Sequence, residues 1–288
     1  MWYYCPMNTI KIKCPAKINL TLEIINKRDD GFHNIKSIMH TVDLYDYLTI
    51  SIAENETNEI KLSGTSPEIP YDEKNIVYKA VDLFLKEAKI NNLSVSVHIE
   101  KNIPISAGLA GGSTDASGAL YGLNYLLERF SNSELNILCS KLGSDLNVCL
   151  QGGCVLATSR GEITKKLPDV ESDITLIKPI NLGISAKEAY QKYSSKKIKF
   201  QNNMTEKMLI AILDGDDINP YLHNDLETAI FEDYKELQDI KKTYPQSIMS
   251  GSGSTYFLLK NIQKSDLSDE FLFINNLKLI DSGVEVAG

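Results

Sequence analysis

Alternating apolar and polar residues predict a series of extended segments in the first hundred residues. Residues 9–25 are rich in β-branched side chains and are interrupted by Pro15, which indicates two strands or one bent strand. The alternation continues over residues 35–52 and returns over residues 93–99, so both are predicted to be strands. Between them, the polar segment 54–72 contains proline and glycine and is predicted to be a surface loop.

Apolar residues at helical spacing predict helices around these strands. Residues 76–88 and 133–142 are predicted helices, and Ser133 is the expected N-cap of the second. From about residue 164 the pattern predicts a strand, three helical stretches and then a strand over residues 247–259. Another helix follows residue 114, and its predicted buried face holds Ala116, Ala119, Leu120, Leu123 and Leu127.

Composition limits the classes of protein that this pattern can represent. The chain has 288 residues, of which 43% are hydrophobic, and the pattern changes near residues 160–170. Length and pattern together favour two domains. No run of about 18 apolar residues is present, and the first ten residues lack the features of a secretory signal. We therefore expect a cytosolic protein that does not associate with membranes.

Charge and cysteine usage exclude further classes. The net charge is −8 and only three residues are arginine, so a nucleic-acid-binding surface is not expected. The five cysteines have no CxxC spacing, so neither a disulfide framework nor a zinc site is expected. A phosphorylated ligand would have to be held mainly by backbone N–H groups, lysines and a metal ion.

Residues 104–114 (PISAGLAGGST) place three glycines between a predicted strand and a predicted helix. Because glycine has no Cβ atom, backbone N–H groups there can approach an anion, which the helix dipole also attracts. The serine and threonine that follow offer hydroxyl groups for hydrogen bonds or a metal ion. The stretch lacks the lysine of a Walker A loop and the GxGxxG spacing of a dinucleotide-binding loop. A phosphate-binding loop is predicted, with a simple tight turn as the alternative.

This stretch resembles the second motif of the GHMP kinases (galactokinase, homoserine kinase, mevalonate kinase and phosphomevalonate kinase), written Pro-x-x-x-Gly-Leu-x-Gly-Gly-Ser-Ser/Thr. The matching residues are Pro104, Gly108, Leu109, Gly111, Gly112, Ser113 and Thr114. Further matching segments follow the family's order: PAKINL (15–20), DGFH (30–33), KNIP (101–104), LGSDLN (142–147), NDLE (224–227) and SGSGST (250–255). They narrow the resemblance to the branch whose acceptor alcohol carries a cytidine diphosphate.

The resemblance implies an α+β fold of two domains. A ribosomal-protein-S5-like N-terminal domain over residues 1–165 would bind ATP and carry the catalytic residues, and a ferredoxin-like C-terminal domain over residues 166–288 would lie on the substrate side. With Mg²⁺, the enzyme would transfer the γ-phosphoryl group of ATP to a tertiary hydroxyl of the cytidyl-diphosphate substrate, in isoprenoid precursor synthesis. A monomer or a homodimer is compatible with the sequence.

The resemblance also implies a catalytic pair. Asp145 would accept the proton of the substrate hydroxyl, and Lys17 would offset negative charge in the transition state. Asn19, two residues beyond Lys17 on the same strand face, would bind the hydroxyl-bearing part of the substrate. The alternatives are a lysine at a strand end, a capping aspartate and a buried asparagine bound by the backbone.

Aromatic residues are implied for the nucleobase. Phe32 and His33, in the DGFH turn, would stack on a cytosine and hydrogen-bond its edge. Tyr190 would supply the opposite stacking surface. The alternatives are a solvated turn histidine and a phenylalanine that plugs the core.

ATP-binding residues are carried over from the glycine-rich motif. They are Pro104, Ile105, Ser106, Ala107, Gly108, Leu109, Ala110, Gly111, Gly112, Ser113 and Thr114, with Asn75 at the adenine end or simply as a helix cap. Two positions depart from the family pattern. Ser106 replaces a common glycine, and Asn147 with Val148 replaces a proline-aromatic pair.

Two other functions stay open on the sequence alone. One is a GHMP-type kinase for another small alcohol, homoserine or a mevalonate-like acceptor, which would leave the DGFH turn without a nucleobase to bind. The other is a non-catalytic nucleotide-binding sensor, against which the presence of both Lys17 and Asp145 argues.

Overall fold

The structure, a computed structural model, describes residues 8–196, 203–264 and 268–288. Two long strands, β1 (Thr9–Lys27) and β2 (His33–Glu54), form its central antiparallel ribbon. Register shifts, one of them between Pro15 and Ala16, interrupt the pairing of the two strands. The first predicted segment is therefore one long, irregular strand, and the prediction of a strand over 35–52 is confirmed.

The remaining strands of the N-terminal half form two pairs, and each pair adds to a different end of β2. They are β3 (Glu59–Gly64), β4 (Leu93–Glu100), β5 (Cys154–Ser159) and β6 (Ile163–Lys166). Strand β4 pairs antiparallel with the last part of β2 and carries β3 parallel to itself, whereas β5 pairs with the first part of β2 and carries β6. The helices of this half are α1 (Ile76–Glu87), α2 (Gly111–Leu127), α3 (Asn132–Leu142) and α4 (Leu146–Gln151).

Helices α1, α2 and α3 cover one part of this sheet and form a hydrophobic core with it. Ile12, Leu48 and Ile50 from the ribbon pack there with Phe84 of α1 and Leu120 of α2. The apolar face predicted for α2 is confirmed, because its alanines and first two leucines are buried. Glycines in α2 let the helix lie directly on β1.

The C-terminal half contributes more strands to the same continuous sheet. They are β7 (Asp173–Pro179), β8 (His223–Asn224), β9 (Ile248–Met249), β10 (Tyr256–Leu258), β11 (Phe271–Ile280) and β12 (Glu285–Val286). Strands run in the order β9-β10-β7-β11, and β11 also pairs with β2. The helices are α5 (Ala186–Ser195), α6 (Met204–Asp214), α7 (Asp225–Ile230) and α8 (Lys235–Thr243).

Three local predictions are wrong. The predicted loop 54–72 contains β3, whose Ile60 and Leu62 pack on the core although only two apolar residues alternate there. The N-cap of α3 is Ser131, not Ser133, because Glu134 lies three residues after Ser131 and its carboxylate accepts the N–H of Ser131 at 2.8 Å.

The third concerns the C-terminal half. Its described residues hold four helices where three were predicted, since α7 and α8 are separated by a single 3₁₀ turn (Phe231–Asp233). The strand predicted over residues 247–259 is a pair of short strands, β9 and β10, joined by the SGSGST turn. Within the described part of the chain, no helix is long and apolar enough to cross a membrane.

Candidate active site

A cleft of about 1350 Å³ lies beside the central ribbon and contains the predicted site residues. Its walls come from β1 and β2, the glycine-rich loop, the turn before α4 and the first helix of the C-terminal half, α5. Every residue predicted for the site lines this cleft except Thr114, whose side chain is fully buried. Residues that are far apart in sequence are thus brought together in one concave site.

The glycine-rich loop has the backbone conformation of an anion-binding site. Ser106, Gly108 and Ala110 all have left-handed φ angles, of 51°, 74° and 59°, and alternate with residues that do not. Such alternation turns successive N–H groups toward one point. Helix α2 begins at Gly111, so the last two glycines lie in its first turn rather than before it. No side chain caps this helix end, which leaves its N–H groups available to a phosphate.

Hydrogen bonds attach this loop to both halves of the molecule. The carbonyl of Gly108 accepts from Lys17 Nζ at 3.2 Å and from Ser250 Oγ at 3.0 Å. The Thr255 N–H donates to the carbonyl of Ala107 at 3.3 Å. The SGSGST turn therefore supports the loop from the C-terminal half, a role that a plain hairpin turn would not have.

Lys17 and Asp145 meet at the base of the loop. Lys17 Nζ lies 3.4 Å from Asp145 Oδ2, and the lysine is buried while 31% of the Asp145 side chain is exposed in the cleft. Asp145 occupies the N-cap position of α4, yet its side chain makes no capping hydrogen bond. The carboxylate is therefore free to contact a ligand.

Asn19 fixes the position of the lysine. Its Oδ1 accepts from Lys17 Nζ at 2.7 Å, and its Nδ2 donates to Ser37 Oγ at 2.9 Å. Both partners are side chains, so Asn19 is not the backbone-bound asparagine of the alternative interpretation. Its contact with substrate stays a prediction.

Aromatic residues form the opposite end of the cleft. The rings of His33 and Tyr190 stack with centroids 5.1 Å apart and an interplanar angle of 19°. His33 Nε2 is 2.9 Å from Ser194 Oγ, and burial lowers the pKa of His33, which favours a neutral imidazole. Phe32 is 54% exposed, so it does not plug the core. The three rings provide apolar surfaces, and the imidazole of His33 adds a polar edge.

Asn75 is a helix cap that also lines the cleft. Its Oδ1 accepts the N–H of Val77 at 2.9 Å, which caps α1, and its Nδ2 donates to the carbonyl of Pro70 at 2.6 Å. The simpler of its two predicted roles is therefore present. Contact with an adenine stays a prediction.

A buried ion network, which sequence spacing does not reveal, lies beneath the loop. Lys101 Nζ pairs with the carboxylates of Asp46 and Asp115, and its distance to Asp115 Oδ2 is 2.7 Å. Asp46 also accepts the backbone N–H groups of Asn102 and Ile103, which lead into the loop. Burial raises the pKa of Asp115 to about 7, against the opposing effect of Lys101. The KNIP motif pointed to Lys101, but no spacing connected it with Asp46.

Metal-ligand candidates are sparse in this part of the protein. Within residues 8–196, 203–264 and 268–288, no group of three or more histidine, cysteine, aspartate or glutamate side chains could hold a metal ion. The described cysteines (Cys14, Cys139, Cys149 and Cys154) are buried free thiols, and Cys5 lies outside the described residues. Burial raises the pKa of the thiols of Cys139 and Cys154 to about 12. They therefore stay protonated at neutral pH and serve as small apolar core residues.

The chain is similar to known kinases over nearly its full length. Residues 75–154 match the sequence model described as GHMP kinases N terminal domain. The 4-diphosphocytidyl-2-C-methyl-D-erythritol kinase of Clostridioides difficile (strain 630) is 39% identical, and the alignment covers 98% of this chain and 99% of that protein. The kinase of the same name from Caldanaerobacter subterraneus subsp. tengcongensis is 34% identical, and the alignment covers 96% of this chain and 99% of that protein.

Solved structures show the same architecture. A 4-(cytidine 5'-diphospho)-2C-methyl-D-erythritol kinase superposes with a TM-score of 0.69 at 28% identity, covering 86% of this chain and 89% of the other. Homoserine kinase from Cytophaga hutchinsonii gives a TM-score of 0.77 over 100% of both chains, at 17% identity. At that identity the second likeness concerns the fold alone. Both structures confirm the predicted α+β class.

Proposed function

Because the chain belongs to the 4-diphosphocytidyl-2-C-methyl-D-erythritol kinases, a branch of the GHMP kinases, we propose that it phosphorylates that cytidyl alcohol. The reaction transfers the γ-phosphoryl group of ATP to the 2-hydroxyl, in an isoprenoid precursor pathway that does not use mevalonate. One observation carries the proposal. A single cleft holds the phosphate-binding loop, the Lys17–Asp145 pair and the aromatic end.

Asp145 is the proposed general base. The substrate hydroxyl oxygen forms a bond to the γ-phosphorus while the bond from that phosphorus to the ADP oxygen breaks, and the hydroxyl proton passes to the Asp145 carboxylate. Support comes from the partial exposure of this carboxylate in the cleft and from its lack of a capping hydrogen bond. An aspartate that capped α4 would not be available for this transfer.

Lys17 is proposed to stabilise the transferring group. Its ammonium lies between the Asp145 carboxylate and the carbonyl of Gly108, so it stands where the loop meets the base. A fixed, buried positive charge stabilises the negative charge of the transferring phosphoryl oxygens. Asn19 holds the ammonium in this position and thus acts on the reaction through Lys17.

ATP would bind along the loop, with Mg²⁺ as its proposed partner. Mg²⁺ is usually bound by substrate phosphates and a few protein ligands rather than by a protein cage, and in P-loop enzymes one of these ligands is a serine or threonine hydroxyl. The protein side of such a site fits the hydroxyl of Ser113, which lines the cleft in the first turn of α2. Bound Mg²⁺ would neutralise part of the phosphate charge.

Phe32, His33 and Tyr190 are the proposed binding site of the cytosine. A pyrimidine can stack on the exposed ring of Phe32 or on the His33–Tyr190 pair, and a neutral imidazole can hydrogen-bond its edge. Homoserine and mevalonate have no group that needs these surfaces. The aromatic end therefore favours the cytidyl acceptor over the other alcohols of the superfamily.

The decisive experiment measures ADP release by the purified protein with ATP, Mg²⁺ and a panel of alcohols. The panel contains the cytidyl alcohol, methylerythritol phosphate, homoserine and mevalonate. We expect turnover with the cytidyl alcohol alone. Turnover only with an alcohol that lacks cytidine would contradict the proposed substrate, and nucleotide binding without turnover on any acceptor would favour a sensor.

A further inference from the structure

Arg160 contributes a positive charge to the cleft and has no part in the proposed phosphoryl transfer. Its guanidinium carbon lies 5.2 Å from the centroid of the Phe32 ring, and its side chain is 33% exposed in the cleft. The nearest carboxylate oxygen, on Glu162, is 3.6 Å from Nε. Among the described residues, no hydrogen bond to the guanidinium is formed, so its donors are available to a ligand.

The turn that carries Arg160 is held in a defined conformation. It connects β5 to β6 and contains two left-handed residues, Ser159 with φ 63° and Gly161 with φ 116°. The carboxylate of Glu162 accepts from Ser159 Oγ at 3.0 Å and from the Arg160 N–H at 2.8 Å. Glu162 thus stabilises the turn through its backbone and its serine, and leaves the guanidinium only loosely paired.

The same turn packs against the segment that contains the proposed base. A Cβ atom added to Gly161 would lie only 3.2 Å from the Cβ of Ser144, the residue before Asp145. Asn147 Nδ2 also donates to the carbonyl of Glu162 at 2.8 Å. The turn therefore touches the catalytic segment on one side, while Arg160 contacts Phe32 on the other.

We propose that Arg160 binds the diphosphate that joins the cytidine to the acceptor alcohol; this inference rests on the proposed function. In such a substrate the diphosphate lies between the nucleobase and the reacting hydroxyl, and the turn of Arg160 likewise connects two regions: its guanidinium lies over Phe32, and its Gly161 packs against the residue before Asp145. A planar guanidinium matches the oxygens of a phosphate and can stack on an aromatic ring at the same time. Lys27, the last residue of β1, also lines the cleft and adds a positive charge near His33.

Binding of cytidine ligands separates this role from support of the Phe32 ring. Calorimetric titration of the full chain would compare cytidine diphosphate with cytidine, for the wild type and for Arg160→Gln and Arg160→Lys. We expect Arg160→Gln to lower the affinity for cytidine diphosphate by about 10- to 100-fold, the range for a lost charge-assisted hydrogen bond. The affinity for cytidine should fall by less than about twofold. Arg160→Lys should retain part of the affinity, since lysine keeps the positive charge but lacks the paired N–H donors of a planar guanidinium.

Kinetics supply an independent readout, and Arg129→Gln is the matched control because Arg129 does not line the cleft. Arg160→Gln should raise KM for the cytidyl alcohol and leave KM for ATP unchanged. Equal losses for cytidine and cytidine diphosphate would show that Arg160 merely supports Phe32, and unchanged binding of both would overturn the proposal. A wild type that binds neither ligand would overturn the cytidyl substrate itself, and with it this role.

Discussion

Asp145 combines features that a capping or solvated turn aspartate does not need. Its carboxylate is near a buried lysine, faces a cleft and leaves the helix behind it uncapped. Asp145→Asn keeps the size of the side chain but cannot accept a proton. We expect kcat to fall by about 10²- to 10⁴-fold while ATP affinity is retained, as measured by steady-state kinetics and ATP titration. Asp216→Asn, an exposed acid outside the cleft, should have no effect.

Full activity of Asp145→Asn would contradict the assignment of the base. A parallel loss of ATP affinity would point instead to a role in nucleotide binding.

Single residues show where prediction from sequence succeeds and where it fails. More than a hundred positions separate Lys17 from Asp145, so their contact was predicted only by resemblance to the GHMP motifs. The network of Lys101, Asp46 and Asp115 joins the loop after β4, a strand and a helix, and each member alone looks like an ordinary polar residue. Contacts of this kind follow from tertiary packing, which spacing along one chain does not encode.

At the scale of elements, the phosphate-binding loop depends on its close approach to the SGSGST turn. Gly108 has a φ of 74°, and a Cβ atom added to it would lie 2.0 Å from the carbonyl oxygen of Ser250. Gly108→Ala should therefore destabilise the protein by more than about 1 kcal/mol, because strain and a backbone clash combine. Urea unfolding measures the loss of stability. The KM for ATP, which should rise, measures the effect on the phosphate-binding loop.

Ser106→Gly is the control in the same loop. Ser106 also has a left-handed φ, of 51°, so glycine relieves strain there while it adds freedom to the unfolded chain. The two effects oppose each other, and stability should change little. If Gly108→Ala were as stable as this control, the loop would not need its contact with Ser250.

The ion network holds both ends of that loop. Asp46 binds the residues that enter the loop, and Asp115 lies one turn into the helix that leaves it, with Lys101 between them. Lys101→Met would leave two buried carboxylates without a cation, which costs about 3–5 kcal/mol. Urea unfolding should detect this loss. Lys86→Met removes an exposed partner of Asp82 and should leave stability nearly unchanged, and an equal effect of the two substitutions would contradict a structural role for the network.

The elements themselves were predicted best where the hydrophobic period was long. The segments now seen as β1, β2, β4, α1 and α2 were all expected, because each repeats its period over several residues. Strand β3 was missed because its pattern is short and its stability comes from pairing with β4. The missed N-cap of α3 was visible as a capping box, since serine and glutamate stand three residues apart.

For the whole molecule, long-range strand pairing joins the two halves. Strand β11 pairs with both β7 and β2, and β12 pairs with β1 close to the start of the chain. None of these pairings could be derived from sequence periodicity, which describes an element but not its neighbour. The division of the chain at residue 165 into two domains stays a proposal, whereas the α+β fold of the GHMP kinases is established by the comparisons.

One buried histidine at the centre of this sheet makes stability depend on pH. His40 lies on β2, where its Nδ1 donates to the carbonyl of Thr41 and its Nε2 accepts the N–H of Val170 at 3.3 Å. Burial lowers the pKa of His40 from 6.5 to about 4. The unfolded chain thus takes up the proton first as pH falls. Above pH 6.5, His40 is neutral in both the folded and the unfolded chain and does not reduce the free energy of unfolding. As pH decreases to about 4, that free energy falls by about 3 kcal/mol because the unfolded chain binds the proton more tightly.

The titration of Asp115 changes stability with pH in the opposite direction. Comparison of variants is therefore needed to separate the effects of Asp115 and His40. The pKa of Asp115 is raised from 3.8 to about 7, and its contribution is therefore complete at low pH and lost as pH rises through that range. His40→Gln keeps a donor and an acceptor but does not titrate. Urea unfolding from about pH 7.5 to about pH 4.5, which covers most of the interval between the pKa values of His40 in the unfolded and the folded chain, should show the stability of this variant rising relative to wild type as pH falls. Parallel pH profiles for the two proteins would mean that His40 does not stay neutral in the folded state, and that its hydrogen bond from Val170 does not persist at low pH.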